Sequence, residues 1–169
     1  MSDVRIDSYK FLPRSMWPMF KGFQPEPAEV KPVIARVPLR EAKVALLTSA
    51  GLYLRGKQPS FDMDRERREP MWGDPTFRVI PRDAKQDEIG VAHLHINPDD
   101  ILADFNVVLP LAVFADLERA GEIGKLATNN YSFMGYQGQS IGAWRDDYGP
   151  ELARLLHDDS VDLLILAPS

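Results

Sequence analysis

The chain has 169 residues, the usual size of one domain, and its 44% hydrophobic and 27% charged content is that of a globular protein with its own core. A formal charge of -5 and a pI near 5.2 exclude a general binder of nucleic-acid backbones, which needs a basic face. The absence of cysteine excludes a disulfide framework, a thiolate metal site and a thiol nucleophile within these residues. No apolar run approaches the roughly 18 to 20 residues of a membrane span, so no membrane association and a cytoplasmic location are expected.

Residues 1–35 interleave aromatics with prolines (Phe11, Pro13, Trp17, Pro18, Phe20, Phe23), a pattern that suits neither a long helix nor a central strand. They read as an N-terminal arm with one short helix. Its Met16, Trp17, Met19 and Phe20 are expected to cover this domain or a second subunit, which favours a homo-oligomer. Regular structure begins at Val44-Ala45-Leu46-Leu47, which runs into Thr48-Ser49-Ala50-Gly51, the profile of a buried parallel strand entering a loop. Residues 55–74 are charged and turn-rich and predict a long loop of the kind that can form a lid. Residues 77–80 and 91–96 predict strands, and after the second Asn97 or Asp99 is placed to cap a short helix.

Residues 110–120 predict a helix with Leu111, Phe114 and Leu117 on one face and Gly121 in the left-handed position that ends it. Residues 123–128 predict another strand. A second helix is expected over 141–157, with Leu152, Leu155 and Leu156 inward and a break or new start at Gly149-Pro150. Val161-Asp162-Leu163-Leu164-Ile165-Leu166 predicts a central parallel strand covered on both faces. Helices alternating with strands give an α/β fold: a doubly wound, mainly parallel sheet with flanking helices, plus the arm.

Ligands of such sheets bind beyond the carboxyl ends of the strands. Three places qualify. Around Ser49 and Gly51, hydroxyls and backbone N–H groups form either an anion cradle or an ordinary turn. In His93-Leu94-His95 the alternation puts both imidazoles on one strand face, followed by Asp99, Asp100, Asp104 and Asn106. These residues suit proton transfer, substrate contact, zinc or iron binding, or a hydrogen-bonded strand end. In Tyr131-Ser132-Phe133-Met134-Gly135-Tyr136, hydroxyls alternate with large apolar groups, as in a binding wall or a bulged core strand. The runs Trp144-Arg145-Asp146-Asp147 and Arg65-Glu66-Arg67-Arg68-Glu69 read as solvated charge.

The chain also resembles a known family, the selenoprotein B component of the glycine, sarcosine, betaine and D-proline reductases. The resemblance spans roughly residues 43–169. It is carried, in order, by Thr48-Ser49-Ala50-Gly51, Gln58-Pro59-Ser60-Phe61-Asp62, Gly73-Asp74-Pro75-Thr76-Phe77-Arg78, His93-Leu94-His95, Asp104-Phe105-Asn106, Gly121-Glu122-Ile123-Gly124 and Tyr131-Ser132-Phe133-Met134-Gly135-Tyr136. It implies an α/β reductase-like domain over 36–169 after the arm of 1–35. In that family the strand similar to residues 161–166 leads into a loop with selenocysteine or cysteine, two residues, then cysteine.

This chain stops at Ala167-Pro168-Ser169, so the resemblance implies a nucleophile beyond Ser169 and a frame cut at a selenocysteine codon. No cofactor is expected in this chain, and selenocysteine is expected in a full-length form. The implied reaction is reductive cleavage of a C–N bond in an amino acid or amine-like small molecule. A selenolate attacks, a thiol resolves the adduct, and some relatives depend on a pyruvoyl group in a partner subunit.

The implied partners are a reductase subunit or a thiol electron donor. The implied roles are proton delivery or substrate orientation for His93 and His95, the anion-binding turn for Ser49 and Gly51, and substrate contact for Asp104 and Asn106. Tyr131, Ser132 and Tyr136 are expected to form the pocket wall. Two other readings stand beside this one: a non-catalytic partner subunit that kept the fold, and a metal-dependent hydrolase using His93, His95 and Asp104.

Overall fold

The computed structural model describes residues 33–168 apart from His95, together with Arg14 and Pro18. The expected arm helix and its apolar residues Met16, Trp17, Met19 and Phe20 lie outside the described residues. Two compact units are distinguished, Met1–Ile34 and Ala35–Ser169, and the elements below belong to the second.

The main sheet is built on β1 (Lys43–Thr48), whose buried apolar residues leave no polar face. The two-residue β5 (Lys125–Leu126) and then β6 (Asn129–Phe133) run parallel along it, and β7 (Leu163–Ala167) runs parallel for its whole length. Val44 pairs with both Leu126 and Leu163, and Leu47 with both Tyr131 and Leu166; β5 and β6 therefore lie end to end on one side of β1 and β7 on the other. Outside β6 lies β3 (Phe77–Pro81), antiparallel. The sheet is thus mixed, in an α/β fold. A second, two-stranded antiparallel sheet joins β2 (Leu52–Leu54) to β4 (Ile89–Val91).

Between β5 and β6 the ladder to β1 is interrupted, and a side chain repairs it. Fully buried Asn130 accepts the Leu46 N–H through its Oδ1 at 2.9 Å, while the Ala127 N–H donates to the Val44 carbonyl at 2.7 Å. No backbone donor of the central strand is thereby stranded without a partner at the break.

The helices are α1 (Met63–Arg68), α2 (Asp99–Ala103), α3 (Leu111–Arg119), the short α4 (Ile141–Ala143) and α5 (Gly149–Asp158). A π turn, Trp144–Tyr148, joins the last two. Alternation along β1 sends Val44 and Leu46 to one face, into a core with Leu111, Phe114 and Leu117 of α3. It sends Leu47 to the other face, where Tyr131 packs against Leu152, Leu155 and Leu156 of α5. Both helices use the inward residues expected from their spacing, and Gly121 takes the left-handed φ of 73° after α3.

Three expectations are corrected. The charge run after Arg55 contains α1, because Asp62 Oδ1 accepts the Arg65 N–H at 2.9 Å and the pairs Asp64–Arg67 and Arg65–Glu69 sit at helical spacing. The strand expected over 91–96 ends at Val91. Its partner β2 has only three residues, and the ladder closes when the Ala92 N–H donates to the Gly51 carbonyl at 2.9 Å. The last strand is not covered on both faces here: among the described residues β7 pairs with β1 alone, and Ile165 and Leu166 are 40% and 65% exposed. No helix among the described residues is long and apolar enough to cross a membrane.

Candidate functional site at the strand tips

The carboxyl ends of β1, β6 and β7 point the same way, and the chain leaving them frames a cleft of about 710 Å³. From β1 and the turn after it come Leu47 and Ser49. From β6 and the turn after it come Phe133, Gly135 and Tyr136, and from the end of β7 come Leu166, Ala167 and Pro168. His93 enters from the segment after β4. The walls are mainly apolar, with Ser49, His93 and Tyr136 as the polar groups, the composition usual for a small-molecule site.

Backbone bonds fix these segments to one another. The Ser49 N–H donates to the Ala167 carbonyl at 3.3 Å, and the Gly51 N–H donates to the Phe133 carbonyl at 3.1 Å. Gly51 has a φ of 65°, and a Cβ there would fall 2.3 Å from the Ala92 carbonyl oxygen. A side chain is therefore excluded at the point where the segment carrying His93 crosses the turn. Gly135 is also a spacing residue: a Cβ on it would lie 3.2 Å from Cβ and 3.4 Å from Oγ of Ser49. The Phe133 ring stacks on Trp144 of the π turn with centroids 4.7 Å apart, which stiffens that wall. The Tyr136 hydroxyl donates to Sδ of Met71 at 3.4 Å.

Of the residues singled out in the sequence, the cleft collects Ser49, His93 and Tyr136. His95 lies outside the described residues. Because His93 follows β4 and is not part of it, the argument that placed two imidazoles on one strand face does not hold. Gly51 acts through its backbone. Ser132 is fully buried below the tip, and its Oγ accepts the Leu52 N–H at 2.7 Å, tying the two sheets together. Tyr131 is buried against α5 and meets Phe77 edge-on; burial, with the negative Asp159 nearby, pushes its phenol up from the ordinary value.

Asp104 and Asn106 line a different hollow, beside Arg82 and Leu111. There Asp104 Oδ1 accepts from the side chain and backbone N–H of Asn106, bonds that hold its carboxyl below the ordinary range. Asn106 in turn accepts the Ala112 N–H at 2.8 Å, so the pair caps α3. Among the described residues no group of three or more His, Asp or Glu is placed to hold a metal ion. Sequence reasoning named Phe133 and Gly135 only within the stretch that suits a binding wall or a bulged core strand, and gave Leu47, Leu166, Ala167 and Pro168 no contact of their own. The available signal was position: each stands at or just past a strand's carboxyl end.

Residues 20–169 match the family model for glycine/sarcosine/betaine reductase selenoprotein B. The chain is 33% identical over 151 residues to the D-proline reductase subunit gamma of Acetoanaerobium sticklandii, an alignment covering 86% of this chain and 58% of that protein. It is 29% identical over 163 residues to the sarcosine reductase complex component B subunit beta of Peptoclostridium acidaminophilum, covering 96% of this chain and 34% of that one. It is 32% identical over 128 residues to the glycine reductase complex component B subunit gamma of Symbiobacterium thermophilum, covering 76% and 28%. The chain thus spans less than two thirds of each of these relatives. No solved structure matches it significantly.

Proposed function

Because the chain belongs to the glycine/sarcosine/betaine reductase selenoprotein B family, we propose that its strand-tip cleft is the substrate side of a reductase centre that cleaves a C–N bond in an amino acid or amine-like substrate. The observation that carries this reading is the meeting of Ser49, His93 and Tyr136 with the end of β7 in one cleft, since the family resemblance puts the redox residues just after that strand. The donor set suits such a group: an apolar wall that limits water, a hydroxyl and an imidazole.

A selenol–thiol pair beyond residue 169 would supply the two electrons that replace the C–N bond by a C–H bond, ending as a selenenyl sulfide that a thiol donor or partner subunit reduces again. His93 donates the proton that lets the amine leave, the task for which imidazole is suited near neutral pH. Ser49 holds the anionic end of the substrate, and Gly135 keeps that hydroxyl uncrowded. Tyr136, held on Met71, forms the rim. A cytoplasmic location, a homo-oligomer, and the division into an arm over 1–35 and a reductase-like domain over 36–169 belong to the same proposal.

The test is to purify the protein from its natural source, measure its mass and selenium content, and incubate it with a dithiol and D-proline, sarcosine, betaine or glycine. A mass above 19.1 kDa, selenium or cysteine in the added part, and reductive cleavage of one substrate are expected. A native mass of 19.1 kDa with saturable amino-acid binding but no turnover would make the chain a non-catalytic partner subunit. Neither turnover nor binding with any of the four would overturn both readings.

A further inference from the structure

A second hollow, of about 630 Å³, lies where α1, the loop after it and the π turn meet, and it shares no lining residue with the strand-tip cleft. Its volume suits a small ligand. Its charges come from Asp62, Asp74, Asp147 and Arg65. They do not cancel, because Arg65 is already matched from outside the hollow: its Nε donates to Glu69 at 3.1 Å and its guanidinium lies 4.2 Å over the Trp72 ring. Asp74 is committed to the fold, with Oδ2 accepting the Asp62 N–H and Oδ1 accepting from the Thr76 N–H and hydroxyl. Asp62 uses one oxygen on the Arg65 N–H. Arg78 stands behind this wall, donating to Thr76 Oγ1 at 2.7 Å with its charge set against Asp74, while Asp147 makes no hydrogen bond or ion pair with a described residue and is the hollow's available carboxylate.

An acidic lining alone would be ordinary surface. The independent observation is Ser140, which belongs to the wall of the hollow, is 6% exposed, and has a buried Oγ with no hydrogen-bond partner. A buried hydroxyl without a partner is costly, and natural proteins rarely keep one unless something supplies the bond. The π turn brings Asp147 and Tyr148 to the same hollow, and π turns inside helices recur at functional sites.

We propose that this hollow binds a small primary ammonium ion. Its N–H groups donate to the Asp147 carboxylate and to Ser140 Oγ, and its carbon skeleton lies against Trp72 and Tyr148. A primary ammonium has three N–H donors on a compact cation, enough to serve both oxygens at once, whereas a quaternary one has none to give. The proposal uses no residue of the strand-tip cleft and stands apart from the reductase reading.

The test is amide and indole NMR of the 169-residue chain titrated with ethylammonium chloride, with potassium chloride and tetramethylammonium chloride at matched ionic strength. Saturable shifts at Ser140 and at the Trp72 indole are expected with ethylammonium alone. Asp147→Asn, at an exposed position that the fold does not use, is expected to weaken binding about tenfold, and Ser140→Ala to weaken it while leaving the fold's spectrum in place. No saturation, equal shifts with potassium, or an unchanged affinity in Asp147→Asn would overturn the proposal. Shifts confined to Ser49, Gly135 and Tyr136 would also overturn it, since they would place amine binding at the other cleft.

Discussion

A methyl group added at Gly51 would meet the Ala92 carbonyl oxygen at 2.3 Å and Met134 Sδ at 2.7 Å, on a residue whose φ is already positive. Backbone cannot yield as a side-chain end can, so Gly51→Ala is expected to destabilise the domain by about 2 kcal/mol or more, read as a lowered urea midpoint. A midpoint equal to that of the parent would mean that the turn does not need the close approach. Ser132 makes a different demand. Removing its hydroxyl leaves the buried Leu52 N–H without a partner, and Ser132→Ala is expected to cost about 1–3 kcal/mol although the change in volume is small. If Ser132 instead served as a pocket wall, the same variant would keep its stability and lose ligand affinity; the two outcomes separate the structural role from the one its motif suggests.

At the scale of elements, α3 is tied to β5 by one carboxylate. Glu118 Oε2 accepts from Arg82 at 2.6 Å and from the Leu126 N–H at 3.0 Å; the Arg82 bond and then the backbone bond hold its carboxyl below the ordinary glutamate range. A carboxyl with a depressed folded pKa contributes stability above its unfolded pKa and loses it as pH falls through the folded one. Glu118→Gln is therefore expected to be about 1–2 kcal/mol less stable near neutral pH, with the difference shrinking below about pH 4.5. A difference that stays constant from pH 7 to 3 would remove the charge from the account.

The same elements show what was legible. The helix α3 could be read because Leu111, Phe114 and Leu117 repeat at helical spacing, a local property. The end of β4 could not, because His93-Leu94-His95 continues the alternation after β2 has run out of residues to pair with, and pairing is not local. Ser49, His93 and Tyr136 were reachable by reasoning from strand tips. Tyr131 and Ser132 fit a binding wall and a core strand equally well in sequence, because their depth depends on the register of Leu47 with Tyr131 and Thr48 with Ser132, which no local pattern records. Asp104 and Asn106 looked like ligand groups because capping and ligand binding use the same residue types.

For the whole molecule the open question is the sheet's β7 side. The aliphatic run 163–166 reads the same whether a strand has one neighbour or two, and among the described residues it has one, with Ile165 and Leu166 exposed. An uncharged strand with a single strand partner among the described residues is a template for strand addition, which edge lysines block. If a second copy of the chain covers this side of β7, light scattering at tens of micromolar should give a multiple of 19.1 kDa, and Leu166→Lys should return it to one chain. Exposed Leu166 contributes little to the core, so the variant should keep the parent's urea midpoint, and a loss of assembly could not then be blamed on unfolding. An unchanged multiple in Leu166→Lys would move the interface away from β7. A parent chain that is already monomeric at that concentration would sink the homo-oligomer.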